Sequence, residues 1–214
     1  MSQRSTLVGS VALAAGMVGV AIFLLVGSWP TSELPAPPLT PRGGPIYFVP
    51  LGTPDPPGLE SLAAHLSRRY GLDIRILDPL TLDESVVDNR RRQLIAEPLI
   101  DLMKRGYPAE AADSTAVLVG ITTHDLYIAG YTTWRFAFSL RQEDRFAVVS
   151  TARMDNANLG KPSDPRLLET RLRKMVTKNL GIMYFGLEQS TNRRSVLYGP
   201  ILGVDDLDSI GEDF

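Results

Sequence analysis

Hydrophobic and polar positions divide the chain into stretches of different character. From Leu7 to Trp29 the sequence reads LVGSVALAAGMVGVAIFLLVGSW, without a single charged residue. About 20 apolar residues carry a helix across a bilayer core, so residues 1–29 are expected to form an N-terminal membrane anchor with one transmembrane helix. The end of the run lacks the small-residue site at which a signal peptide is cut, which favours an uncleaved anchor; the alternative is a cleaved signal and a periplasmic or secreted product. Arg4 precedes the run and Arg42 is the first cation after it. The bias of positive charge toward the cytoplasmic side then sends the rest of the chain out of the cytoplasm. Residues 30–45, PTSELPAPPLTPRGGP, hold six prolines and two glycines and read as an extended linker.

From residue 46 the pattern becomes that of a packed domain, residues 46–202. Ile46 to Leu51 is a short apolar run, expected to be a strand. Pro57 to Tyr70 places Leu59, Leu62, Ala63 and Leu66 at helical spacing, with Gly71 as its C-cap. Asp73 to Leu77 alternates like a second strand. Arg90 to Arg105 carries Leu94, Ile95, Leu99 and Leu102 on one face and predicts a second helix, kinked at Pro98. Ala116 to Ile121 is continuously apolar, as in a strand buried on both faces. Leu126–Ile128, Arg135–Leu140 and Arg145–Ser150 are further strand candidates. Pro165 to Phe185 is the longest helix, capped by Asp164. The order predicts an α/β (α+β) domain: one mixed twisted sheet with about three helices. Residues 203–214 have five carboxylates and no cation and read as an acidic tail. Its Asp206-x-Asp208-x-x-Gly211 spacing is only a fragment of a calcium loop. The tail could dock on Arg166, Arg171, Arg173 and Lys174, otherwise a solvated helix face.

Composition narrows the chemistry. The 214 residues include 22 basic and 24 acidic side chains, a net charge of −2, which argues against nucleic acid as a partner. Cysteine is absent and histidine occurs twice, so thiolate zinc sites, iron–sulfur clusters and a three-histidine site are excluded. No cofactor is implied. His124, Asp125 and Asp155 would make a metal or acid/base site only if the fold brought them together. Asn179 falls among Leu168, Leu172, Met175, Val176 and Met183 on the apolar face of the last long helix. A polar amide there needs partners, either a bound ligand or a neighbouring loop. Lys178 sits at the rim of that face, where its stem can pack and its amine can reach water.

The pieces Arg91-Arg92-Gln93, Asp125-Leu126-Tyr127, Phe136-Ala137-Phe138 and Ala147-Val148-Val149-Ser150-Thr151-Ala152-Arg153, in this order before the long helix, resemble the archaemetzincin family of small zinc metalloproteases. The resemblance implies a metzincin-like fold and a zinc site H-E-x-x-H-x-x-G-x-x-H on the long helix, where histidines one turn apart grip zinc and the glutamate is the general base. At those positions this chain has Lys178, Asn179 and Ile182, and Gly186 is one residue late. No catalytic residue and no metal ligand carry over. The expectation is a membrane-anchored, non-catalytic domain with a binding or scaffolding role toward an unknown protein or small ligand. The alternative is a hydrolase or peptidase with an unidentified active site. Asn179, His124 and Asp125 are the binding candidates.

Overall fold

The computed structural model describes residues 39–52, 56 and 58–214. The expected membrane segment, Leu7 to Trp29, lies outside the described residues, as does most of the linker. Among the described residues no helix is long and apolar enough to cross a membrane.

Five strands form the main sheet. In chain order they are β1 (Ile46–Pro50), β2 (Ile74–Ile76), β5 (Val117–Thr122), β7 (Ser139–Gln142) and β8 (Phe146–Ser150). Their spatial order is β2-β1-β5-β8-β7, parallel except for the antiparallel edge strand β7. Strands β3 (Val87–Asp88), β4 (Gln93–Ile95) and β6 (Leu126–Tyr127) form a second, three-stranded sheet. Among the described residues five α-helices complete the fold: α1 (Leu59–Tyr70), α2 (Ala96–Gly106), α3 (Pro108–Ala112), α4 (Pro165–Met183) and α5 (Val204–Ser209). Two sheets and five helices replace the single sheet and about three helices expected.

The period of two along the central strands creates two cores. Val117, Val119 and Ile121 face α1 and α4, joined by Ala147 and Val149, while Leu118 and the neighbouring Phe146 and Val148 face α2. Each face of the sheet is covered, which is why these strands read as unbroken apolar runs. Gly120 lies between: a Cβ there would stand 2.5 Å from Leu51 Cδ1 and 2.6 Å from Met103 Sδ, so the close packing of α2 on β5 requires glycine.

Several local expectations hold. Gly71 caps α1 in the left-handed region at φ 67°, and the Asp164 side chain accepts the Leu167 N–H at α4. Others are corrected. The helix expected from Arg90 begins at Ala96. Before it, Asp88 Oδ1 accepts the N–H groups of Arg90 and Arg91, Arg92 turns the chain at φ 55°, and Leu94 pairs with Leu126. Pro98 therefore sits in the first turn of α2, where a missing N–H is harmless, and there is no kink to explain. Residues 135–138 run ahead of β7, which starts at Ser139. The acidic segment is packed: Leu207 is fully buried and Ile210 nearly so. Its carboxylates meet the basic face of α4, Asp208 with Arg171 and Glu212 with Arg173, so that face is not solvated at Arg171 and Lys174, both buried.

A cationic cleft between the edge strand and the long helix

Helix α4 presents polar side chains to the interior. Asn179 is completely buried. Its Oδ1 accepts from Arg141 of β7 at 2.7 Å and its Nδ2 donates to Ser139 Oγ of the same strand at 2.9 Å. The amide therefore ties the helix to the sheet edge, and both of its ends are satisfied. Lys178 is only 4% exposed, not at a wet rim as its helical position suggested. Its ammonium donates to the carbonyls of Leu197 and Tyr198. Burial, with the Arg141 guanidinium nearby, holds its pKa down to about 8. Burial also lowers that of Arg141.

Ser139, Arg141 and Lys178 line a cleft of about 510 Å³, a volume that suits a small ligand. One wall is aromatic. Phe136 and Phe138 meet edge to face at 5.2 Å, and at the mouth Tyr131 and Trp134 stack at 4.6 Å while staying exposed. Among the described residues Arg135, Arg141 and Lys178 all line this cleft, and no carboxylate does.

The wall is held from behind by a network that gathers the motif residues. Arg153 binds Asp125 Oδ2 through two nitrogens, at 3.0 and 2.6 Å, and Gln93 donates to the same oxygen at 3.0 Å. Gln93 also donates to the Arg135 carbonyl, and Arg91 to the carbonyls of Trp134 and Arg135. Arg91 lies 3.9 Å over the Tyr127 ring, and Arg153 5.2 Å from the Phe136 ring. Charge-assisted bonds of this kind fix backbone position. The separated pieces Arg91–Gln93, Asp125–Tyr127 and Arg153 thus converge to orient residues 134–136.

The candidate binding residues separate here. Asn179 lies beneath the cleft, tied to two of its lining residues. Asp125 belongs to the supporting network and is engaged by Arg153. His124 is exposed, with its N–H and ring nitrogen toward Thr122 Oγ1. Asp155 accepts from the Ala157 N–H. Among the described residues no three His, Cys, Asp or Glu side chains are grouped to hold a metal, so His124, Asp125 and Asp155 do not assemble, and neither does a calcium loop in the C-terminal segment. Arg141 and the aromatic wall were missed in the sequence, where only the unmatched polarity of Asn179 hinted at a partner.

No sequence model of a protein family matches the chain. The archaemetzincin of Pyrococcus abyssi is 30% identical over 166 residues, covering 72% of this chain and 82% of that protein. The crystal structure of the archaemetzincin of Methanopyrus kandleri superposes with a TM-score of 0.62 at 28% identity, covering 82% of this chain and 92% of that one. The structure of the Archaeoglobus fulgidus archaemetzincin, solved with malonate, shares the fold at a TM-score of 0.64 and 22% identity, over 80% of this chain and 95% of that one. With most of a relative's length matched at 30% identity, the chain belongs to the archaemetzincin family.

Proposed function

We propose that this chain is a non-catalytic archaemetzincin-like domain whose role is binding, held at a membrane by Leu7 to Trp29 with the domain on the extracytoplasmic side. The observation that carries the first part is the state of Lys178. It occupies the place of the first metal-binding histidine in the family pattern, and its buried ammonium is bonded to two backbone carbonyls. A cation so committed repels a metal ion and offers it no lone pair. Asn179 stands in place of the general base with both ends of its amide engaged. Ile182 stands in place of the second histidine and has no donor atom. Glu188, ten residues after Lys178 where the third histidine would fall, is exposed. This donor set does not fit zinc, which takes three or four neutral imidazole, thiolate or carboxylate ligands in tetrahedral array. No reaction step is assigned to it.

The cleft itself supports the binding role: it is large enough for a ligand and its wall is preorganised by the Asp125–Arg153 network. Metal analysis of the purified full-length chain after dialysis tests the reading, with zinc well below one equivalent and no peptidase activity expected. One equivalent of zinc per chain sinks it. Alkaline carbonate extraction tests the anchor: the chain is expected to stay with the membrane pellet, and release of a product beginning near Pro30 would overturn that part alone.

A further inference from the structure

The geometry points to a carboxylate-binding site in the cleft, made by the Arg141 guanidinium and the Lys178 ammonium, with the acid's apolar body lying against the aromatic wall. It deepens the binding reading above, because it rests on Lys178 being an ammonium where a metal ligand would stand.

Three observations carry it. First, charge: among the described residues Arg135, Arg141 and Lys178 line one cleft that no carboxylate lines. The acidic side chain whose field reaches Arg141 is Asp144, which is exposed and makes no hydrogen bond to it. Buried cations are ordinarily paired, as Arg171 is with Asp208 on the same helix. Second, donor supply: among the described residues Arg141 gives one of its five N–H donors to a protein acceptor, Asn179 Oδ1. Lys178 gives two of its three to carbonyls. What remains is a planar fork beside an ammonium, the arrangement that grips a carboxylate through two parallel bonds. Third, preorganisation: the Asn179 amide holds Arg141, and the carbonyls of Leu197 and Tyr198 hold Lys178, so little ordering is left to binding. Phe136 and Phe138 beside them supply an apolar surface. A free carboxylate on an aromatic or branched apolar body matches all three. Such a group is carried by a small acid or by the C-terminus of a peptide.

Calorimetric titration of the full-length chain with N-acetylphenylalanine and with its amide tests the assignment. The acid is expected to bind at least about tenfold more tightly, a difference of about 1.4 kcal/mol. A hexapeptide ending in phenylalanine, free or amidated, forms the second arm: tighter binding of the free peptide than of the small acid identifies a chain terminus as the source, and weaker binding identifies a small acid. Arg141→Met is expected to abolish the preference for acid over amide. Should that variant not fold, Arg141→Lys keeps the charge while removing the fork, and a reduced preference is expected. Equal affinity for acid and amide in the unaltered chain, or no saturable binding of any of the four probes, overturns the proposal. A metal-free chain indifferent to the carboxylate sinks this assignment alone, whereas stoichiometric zinc sinks the non-catalytic reading whatever the acids do.

Discussion

Lys178 and Asn179 adjoin in sequence and are handled in opposite ways. Asn179 has a partner at each end of its amide, Arg141 and Ser139. Replacing it with leucine strands the Arg141 N–H at a buried site, and an unsatisfied buried group costs about 1–3 kcal/mol. Asn179→Leu is therefore expected to lower chemical-denaturation stability by that amount. Lys178 is a buried cation whose ionised form is opposed by desolvation and by Arg141. With a folded pKa of about 8 against an ordinary value of 10.5, the native state releases this proton before the unfolded chain does. Between those pH values the unfolded state binds more protons, so stability rises with pH across the window. Below pH 8 the penalty is fully present, up to about 3 kcal/mol at 1.36 kcal/mol per unit, reduced by the bonds to the two carbonyls. Lys178→Met removes this contribution: the difference in stability between the variant and the unaltered chain should change by a few kcal/mol from pH 7.5 to 10.5, in favour of the unaltered chain at high pH. A difference independent of pH would show that Lys178 is an ordinary exposed amine.

At the scale of elements, what could be read from the sequence depended on whether the deciding contact was local. The ends of α4 follow from Asp164 and Pro165 at one side and from Gly186, in the left-handed region at φ 64°, just past the other, all within a few residues. The start of α2 does not. Leu94 and Ile95 keep helical spacing with Leu99, and only the parallel pairing of β4 with β6, some 32 residues away, takes them into a strand. The C-terminal segment shows the same division. Its acidity and the basic stretch of α4 were both legible, but not that Arg171 would be 2% exposed, with Nε and a terminal nitrogen on Asp208 at 2.7 and 2.6 Å. Phe214 completes the contact: a Cβ on Gly181 would stand 2.5 Å from its ring, so α4 needs glycine there for the chain end to pack. Arg171 holds the Asp208 carboxyl below its ordinary value through these bonds. A carboxyl with a depressed folded pKa stabilises the protein above its unfolded pKa and loses that contribution as pH falls through the folded one. Asp208→Ala should therefore destabilise by about 2–3 kcal/mol at neutral pH, the worth of charge-assisted bonds, and flatten the loss of stability below about pH 4. Thermal melts at pH 7 and pH 3 measure both effects.

In the molecule as a whole, the architecture was legible because each central strand alternates between two cores and the helices carry one apolar face each. The cleft was not, because its cations come from elements 37 residues apart, Arg141 on β7 and Lys178 on α4, and no periodicity links them. That distribution governs what restoring the family's zinc ligands would do. Lys178→His, Asn179→Glu and Ile182→His together place two imidazoles one turn apart with a carboxylate beside the first. The surroundings are adapted to the present residues. A glutamate at 179 faces Arg141, which would pair with it and hold it from acting as a base. Removing the Lys178 ammonium leaves the carbonyls of Leu197 and Tyr198 without that donor. Ile182 packs on the core beneath the helix, where an imidazole is a polar intrusion. A third ligand is not in place either: Glu188, ten residues on, has a carboxylate that can bind zinc, but it is exposed and follows a glycine that is one residue out of step with the family pattern. The triple variant is expected to bind zinc with micromolar affinity or weaker, about −8 kcal/mol or less favourable, to melt at a lower temperature than the unaltered chain without metal, and to show no peptidase activity. Metal titration followed by melts with and without zinc measures the first two, and a peptide-cleavage assay the third. Zinc-dependent cleavage by the triple variant would mean that the cleft retains a working third ligand and that Arg141 does not disarm the base. Complete indifference to zinc would mean that residues 178 and 182 do not present their side chains to a common point.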